Sequence, residues 1–161
     1  MKKYIRSIAF IFGALVVMSC SSDDKDSAAP VITLLEPHAD DAFAPGSEIH
    51  FEANFTDNEQ LASYKIDIHY GGDHTHGRTI ALGEEHEYEQ WEFEQVYPLS
   101  GRTMDVHRDI PIPTMINGKP IKQGEYHLGV YALDASGNQS LVFRDIYIME
   151  GAGGGHDHGR N

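Results

Sequence analysis

The chain has 161 residues, of which 25 are acidic and 12 basic, giving a formal net charge of −13 at pH 7. So acidic a surface repels nucleic acid and anionic lipid and attracts cations, which argues against a nucleic-acid-binding protein. There is one cysteine, so no disulfide can form within the chain, and stability must come from an apolar core.

The first residues have the form of an export signal. A basic start precedes an apolar run over 8–18, which is too short to span a bilayer as a permanent helix. The sequence Val17-Met-Ser-Cys20 then resembles the lipobox of bacterial lipoproteins, in which cleavage before the cysteine is followed by its acylation. We therefore expect a signal peptide over 1–19 and a lipid anchor on Cys20. The alternative is an ordinary secretory signal with an incidental cysteine.

The segment 20–29 is expected to be an acidic tether. Its sequence Ser21-Ser-Asp-Asp-Lys-Asp26 holds nothing apolar to bury, as in a solvated linker. It also resembles the acidic signal that directs lipoproteins of Bacteroidota to the cell surface. We expect a lipid-anchored protein of the outer membrane that faces the cell exterior, with a periplasm-facing anchor as the alternative. Loss of the three basic residues of the signal lowers the net charge to −16.

Apolar residues alternate with a period of two from residue 30 to residue 150, which is typical of half-buried β-strands, and no segment has the period of an amphipathic helix. The regular strands are expected over 30–36, 47–56, 62–70, 102–113, 124–134 and 139–150. The middle is less regular, with a short strand over 79–82 and an acidic strand over 88–97. The pattern predicts an all-β domain, a seven-stranded antiparallel β-sandwich of immunoglobulin or fibronectin type III type. A flexible Gly- and His-containing tail over 151–161 follows the domain.

Four strands have apolar faces that should point into the core. In chain order these faces are Ile49, Phe51, Ala53 and Phe55; Tyr64, Ile66, Ile68 and Tyr70; Met104, Val106, Ile110 and Ile112; and Tyr126, Leu128, Val130 and Ala132. The histidines in the same strands then point outward.

Short motifs carry a family resemblance. The strand start Gly124-Glu-Tyr126, the turn Asp134-x-x-Gly137-Asn138 and the sequence Phe55-Thr-Asp57-Asn58 look like those of bacterial immunoglobulin-like modules. With the lipobox, the tether, Ile68-His69, Ile110-Pro-Ile-Pro113 and Tyr126-His127, the chain resembles an uncharacterised lipoprotein family of Bacteroidota, a domain of unknown function, over roughly 20–150. The resemblance implies fold and location only.

Topology predicts where the ten histidines meet. In an immunoglobulin-like fold the strands over 62–70 and 124–134 are neighbours in one sheet, so His69 and His127 can lie side by side on its outer face. A loop with His74 and His76 follows directly, and Asp73 adds a carboxylate. Imidazole ligands suit Zn²⁺, Cu²⁺ or Ni²⁺ and not Ca²⁺ or Mg²⁺. We therefore expect a transition-metal site built from His69, His74, His76 and His127.

The other histidines are secondary candidates. His38 and His50 fall toward the same end of the sandwich. His50 and His107 are single outward histidines, which are usually plain surface residues. His156 and His158 lie in the tail, whose composition suits a low-affinity collector of metal.

The opposite end offers a weaker candidate. Asp57, Asn58 and Glu59 in one turn and Asp134 in another could share Ca²⁺. The sequence favours the simpler interpretation that these residues cap their own turns. Enzyme motifs are missing: the chain has no phosphate-binding glycine motif and no nucleophile elbow. We expect no enzymatic activity.

The expected function is the capture or buffering of a divalent transition metal, with zinc as the first candidate, at the cell surface. The membrane, through the lipid, and an outer-membrane transporter are the expected partners. The rival hypothesis is an immunoglobulin-like adhesion or binding module for protein or glycan, in which the histidines are incidental. The sequence leaves the oligomeric state open.

Overall fold

The computed structural model describes residues 25–72 and 88–152. These residues form ten strands and no helix, so no described helix could cross a membrane. Several sequence predictions lie outside the described residues. They are the signal peptide, the lipid anchor at Cys20, the short strand over 79–82, the loop residues Asp73, His74 and His76, and the tail residues His156 and His158.

Seven of the ten described strands have six residues or more, and the other three have two. In chain order the strands are β1 (Val31–Glu36), β2 (Ala42–Phe43), β3 (Glu48–Thr56), β4 (Leu61–Tyr70), β5 (Phe93–Pro98), β6 (Thr103–Pro111), β7 (Met115–Ile116), β8 (Lys119–Pro120), β9 (Gly124–Asp134) and β10 (Gln139–Ile148). Six of the seven long strands begin and end within two residues of the predicted bounds, whereas β5 begins five residues later than predicted. Burial alternates along β3 and most of β4 and β9, but no residue of β5 is fully buried.

The strands form two main sheets. One has the order β1-β3-β6, the other the order β2-β10-β9-β4-β5, and β7 and β8 form a small hairpin. The long strands pair antiparallel, but β2 pairs parallel with β10. The expectation of purely antiparallel pairing is therefore corrected. After β1 the chain turns at Asp40, whose φ is 67°, and crosses to the second sheet, where β2 runs in the same direction as β10.

Both sheets contribute to one apolar core. The residues predicted to face inward are buried on β3, β4 and β9, although Tyr70 at the end of β4 is only partly buried. The rings of Phe55 in the first sheet and Tyr64 in the second have centroids 4.9 Å apart. On β6, Val106 and Ile110 are buried but Met104 is 36% exposed. Met104 is the second residue of β6, which is an edge strand of its sheet.

The acidic segment before β5 departs from the predicted strand. The strand expected over 88–97 begins only at Phe93. Trp91 is buried, and its ring packs near those of Tyr126 and Phe93, with centroids 6.1 and 6.3 Å away. Burial of this indole turns the segment across the end of the core, where Glu89 forms an isolated bridge with Ile121.

The two ends of the domain carry different polar residues. At the histidine end, β4 finishes with His69 and Tyr70, β9 begins with Gly124, and the connection from β1 to β3 hydrogen-bonds to β10 through the Asp40 amide and the Asp145 carbonyl. At the aspartate end lie the turns 57–60 and 135–138, joined by the hydrogen bond from the Ala135 amide to the Gln60 carbonyl.

Candidate functional site: a histidine and carboxylate cluster on the five-stranded sheet

His69 on β4 and His127 on β9 are directly opposed residues of the sheet. Their ring centroids are 5.6 Å apart and the rings meet edge to face. Both side chains point outward because their neighbours Ile68 and Leu128 are buried on the inner face. The predicted cross-strand neighbourhood of these two histidines is confirmed. Asp145 on β10 is the register partner of His127 on its other side, so the three residues form one row.

The imidazole of His127 lies among carboxylates. Its Nε2 is 3.3 Å from Glu125 Oε1 and 3.7 Å from Asp145 Oδ1. One ligand atom from each of the three residues lies within 4.8 Å of the others. Ligand atoms on a tetrahedral zinc ion, with bonds of about 2.0 to 2.1 Å, are about 3.3 Å apart. The separation of His127 and Glu125 therefore fits zinc ligation without a backbone shift.

His69 is oriented by a carboxylate of its own strand. Its Nδ1 lies 2.8 Å from Asp67 Oδ1, and Asp67 Oδ2 accepts a hydrogen bond from Lys65 at 3.2 Å. Partial burial alone would raise the pKa of Asp67, but the hydrogen bonds from His69 and Lys65 outweigh it and hold the pKa below its ordinary value. The contact favours the tautomer with the proton on Nδ1. The lone pair of His69 Nε2 is then available to a metal, as in carboxylate–histidine–metal arrangements.

Gly71 and Tyr147 restrict the positions of the His127 and Glu125 side chains. Gly71 packs on the ring of His127: a Cβ at this position would lie 2.8 Å from His127 Nε2 and 3.3 Å from the Glu125 carbonyl oxygen. Glu125 Oε2 accepts a hydrogen bond from the Tyr147 hydroxyl at 3.2 Å. The imidazole and the carboxylate beside it are therefore held in place by contacts outside the cluster.

Glu125 and Asp145 were not among the candidates predicted from sequence. A signal for Glu125 exists, because a carboxylate stands two residues before each histidine in Asp67-x-His69 and Glu125-x-His127, and residues two apart share a face of a strand. Asp145 follows only from the register of β9 against β10.

The remaining described histidines lie elsewhere. His38 Nδ1 is 2.9 Å from Glu36 Oε2 and 3.9 Å from Asp41 Oδ2. The structure does not bring His50 and His107 to the row of His69 and His127. They lie together on the outer face of the three-stranded sheet, with ring centroids 6.5 Å apart.

The pair of His50 and His107 also has carboxylate neighbours. His50 Nδ1 is 2.9 Å from Asp109 Oδ1, and His107 Nδ1 is 3.8 Å from Glu52 Oε1. The side chains of His50, His107 and Asp109 are more than half exposed. Solvent competes strongly at so open a surface, and we regard these contacts as weak polar contacts.

The structure describes only the chain on either side of the predicted histidine loop. Asp73, His74 and His76 are outside the described residues, as are His156 and His158. The described chain continues to Gly72 after β4 and resumes at Tyr88 before β5, where Phe93 pairs with Ile68. Both described ends next to 73–87 are thus at the histidine end.

At the aspartate end, the expected turn capping is confirmed. Asp57 Oδ1 accepts hydrogen bonds from the amides of Glu59 and Gln60 at 2.9 and 2.7 Å. Both oxygens of Asp134 accept from Asn138 at 2.7 Å. Burial would raise the pKa of Asp134, but these hydrogen bonds and those from neighbouring amides lower it overall. Glu59 is exposed and lies outside the carboxylate group that Asp57 and Asp134 form with Asp26.

Comparison with known proteins gives a family but no activity. No curated protein matches the sequence. Two similar structures are a catalytically inactive OgpA from Akkermansia muciniphila in complex with an O-glycopeptide (TM-score 0.43, 11% identity, 76% of this chain) and Spo0M, a sporulation control protein from Bacillus subtilis (TM-score 0.40, 11% identity, 74% of this chain). The matched regions span 30% and 48% of those chains.

The expectation of an uncharacterised family, a domain of unknown function, is confirmed, while its assignment to lipoproteins of Bacteroidota stays a prediction. A family model described as a domain of unknown function matches residues 18–149, which include the described strands and the cluster around His127. The chain belongs to that family, DUF4625.

Proposed function

We propose that this protein captures or buffers a divalent transition metal, with zinc as the first candidate, at the histidine end of the domain. The proposed ligands in the described residues are His127, Glu125 and Asp145, with the directly opposed His69 as the fourth. The observation that carries the proposal is the contact of His127 Nε2 with two carboxylates beside the directly opposed His69. His74 and His76 remain candidates for completing the ligand set.

The chemistry of this group favours zinc over calcium. Two imidazoles and two carboxylates are a mixed nitrogen and oxygen set, which Zn²⁺, Cu²⁺ and Ni²⁺ accept, whereas Ca²⁺ prefers oxygen alone. The histidine side chains are partly exposed, 45% for His69 and 32% for His127. A metal can therefore reach them from solvent. The acidic surface of the chain raises the local concentration of cations.

The proposed location is the outer membrane, with a lipid on Cys20 and the domain facing the cell exterior. The lipobox and the acidic tether support this location. Metal bound at the end away from the tether would be presented to a partner such as an outer-membrane transporter. Labelling with a palmitate analogue should mark the wild type and not Cys20→Ala. Protease added to intact cells should remove the domain only if it faces outward.

The decisive experiment measures metal content and metal-linked stability of the processed chain. We expect about one zinc per chain by elemental analysis and a zinc-dependent rise in melting temperature at micromolar metal. His127→Ala should lower zinc affinity by tenfold or more. His107→Ala is the matched control, because it removes a histidine from the other sheet.

Two further variants test the completeness of the site. His74→Ala with His76→Ala should weaken zinc binding if the loop supplies ligands, while deletion of 151–161 should have little effect. Equal losses from His107→Ala, His127→Ala and the tail deletion would show diffuse binding and contradict the proposal. A processed chain whose melting temperature does not respond to zinc or copper would also contradict the proposal.

The finer fold proposed is an immunoglobulin-like sandwich of fibronectin type III character. The sheet orders β1-β3-β6 and β10-β9-β4-β5 support it, as do the seven long strands. Further support comes from Tyr126, near the start of β9, whose hydroxyl donates a hydrogen bond of 2.6 Å to the carbonyl of Lys122, four residues earlier. This arrangement resembles the tyrosine corner of such sandwiches.

A second candidate function, adhesion to a protein or glycan, is favoured by one observation. The outer face of the five-stranded sheet exposes Val96, Leu141 and Phe143, which are 55%, 41% and 54% accessible. Tyr131 lies between them, since it pairs with Leu141 and its ring contacts Phe143. A glycan array probed in the presence of a metal chelator tests this function. Binding that persists with the chelator and disappears in Phe143→Ala would favour it.

A further inference from the structure

Three carboxylates converge at the aspartate end, away from the histidines. Asp26 comes from the segment before β1, Asp57 from the turn after β3, and Asp134 from the end of β9. One ligand oxygen from each lies within 4.8 Å of the others. The three residues are far apart in sequence, so the tertiary fold brings them together. Asp134 is only 2% exposed.

Turn capping explains only half of this arrangement. Asp57 Oδ1 accepts from two amides of its turn, and Asp26 Oδ1 accepts from the Ala28 amide and the Asn58 side chain, each at 2.9 Å. The second oxygens, Asp26 Oδ2 and Asp57 Oδ2, are buried and have no hydrogen-bond partner among the described residues. A buried carboxylate oxygen without a donor is costly, and such atoms are rare in folded proteins.

The negative charges of the three carboxylates also lack a counter-charge within the described ranges 25–72 and 88–152. Like charges this close repel strongly where water is scarce. In the part of the chain that the structure describes, no lysine or arginine forms an ion pair with Asp26, Asp57 or Asp134. A cation between the carboxylates would satisfy the two open oxygens and offset the repulsion.

We propose that Asp26, Asp57 and Asp134 form a Ca²⁺ site that fastens the segment before β1 to the aspartate end of the domain. All the side-chain ligand atoms are carboxylate oxygens, which Ca²⁺ prefers. Two oxygens on one Ca²⁺ can be no more than about 5 Å apart, twice the Ca–O distance, and the observed separations meet this limit. Water can fill the remaining coordination positions.

The fastening follows from the contacts of Asp26. The side chain of Asn58 donates to Asp26 Oδ1, and the side chain of Asn138 donates to the Asp26 carbonyl at 3.1 Å. These two asparagines belong to the two turns that carry Asp57 and Asp134. Calcium on the three carboxylates would add charge-based links between the same segments. Its removal should loosen residues 25–29 before it affects the core.

The test is calcium titration of the processed chain, from Cys20 to Asn161, in buffer freed of divalent metal. We expect one Ca²⁺ per chain by calorimetry and a rise in melting temperature on the order of 10 °C at a hundredfold excess over Kd. Hydrogen exchange of the Ala28 amide should slow when calcium is added. A magnesium arm should show a smaller response, because Mg²⁺ demands tighter octahedral geometry.

Asp57→Asn is the most informative variant. The amide retains an oxygen that can cap the turn, and it replaces the unpartnered carboxylate oxygen. Without calcium the variant should be as stable as the wild type or more so, because repulsion is relieved. With calcium its gain in melting temperature should be largely lost, and Asp26→Asn should behave alike. Glu48→Gln, which removes an exposed charge at the other end, is the control and should respond as the wild type does.

Several outcomes would overturn the site. One is a processed chain whose melting temperature is unmoved by millimolar calcium. Another is an undiminished calcium response in Asp26→Asn and Asp57→Asn, which would indicate diffuse binding to the acidic surface. His127→Ala should keep the full calcium response. Failure of this site is therefore distinguishable from failure of the zinc proposal.

Discussion

His69 and His127 are directly opposed across β4 and β9, with ring centroids 5.6 Å apart. Each has a carboxylate two residues before it on the same strand face, and these carboxylates make different contacts. Asp67 meets His69 at Nδ1, whereas Glu125 meets His127 at Nε2. Under the proposed metal binding, Asp67 would orient the imidazole of His69, and Glu125 would ligate beside His127.

Asp67→Asn should weaken zinc binding by about tenfold to a hundredfold, the usual effect of removing a carboxylate that orients a ligating histidine. The cause is the loss of the 2.8 Å contact that holds His69. Zinc titration calorimetry measures the change. Glu94→Gln is the matched control, since Glu94 also contacts Lys65, at 3.5 Å. Equal affinities in the two variants would show that His69 does not ligate.

Gly71→Ala should reduce zinc affinity while leaving the domain folded. The added methyl group would lie 2.8 Å from His127 Nε2, so the imidazole must move from its observed position. Gly129→Ala is the control, because its Cβ would also be crowded, 3.1 Å from the Phe143 ring, but away from His127. Melting temperature and zinc affinity measured together separate the two effects. A Gly71→Ala variant that binds zinc as tightly as the wild type would contradict the ligand role of His127.

Much of the histidine end could be predicted from the sequence because strand alternation is a local property. The period of two places His69 and His127 opposite the buried Ile68 and Leu128, and the topology of the resembled fold makes their strands neighbours. The register between the strands then follows from the matching of their apolar faces.

The other contacts depend on long-range packing that no local pattern contains. Trp91 lies in a segment that reads as a strand, but its side chain is buried across the end of the core. Arg108 lies on the same side of β6 as the buried Val106 and Ile110. Its guanidinium lies over the Tyr97 ring and donates a hydrogen bond to the Tyr64 hydroxyl. Asp26 reaches Asn138, 112 residues away, because the chain before β1 packs against two turns. Composition alone marks Asp26 as part of a solvated tether.

Tyr126→Phe should lower the free energy of unfolding by about 1 to 3 kcal/mol, because the Lys122 carbonyl loses a buried hydrogen-bond donor. The Tyr126 side chain is fully buried, and burial raises its pKa to about 12, so the hydroxyl stays a donor at neutral pH. Urea unfolding measures the loss. Tyr131→Phe, on the outer face, should change stability by less than about 0.5 kcal/mol. Equal stability of the two variants would show that the Tyr126 hydroxyl does not fasten this corner.

Stability should fall as the pH rises above 10, and Tyr64 should contribute to the fall. Burial raises the pKa of its phenol, although the charge and hydrogen bond of Arg108 oppose the shift, and Tyr97 is the other titratable group that faces it. The unfolded chain loses this proton near pH 10 while the folded chain retains it, so unfolding becomes more favourable through that range. Urea unfolding at pH 9, 10 and 11 should give a shallower decline for Tyr64→Phe than for the wild type. Parallel declines would mean that Tyr64 ionises equally in the folded and unfolded chains.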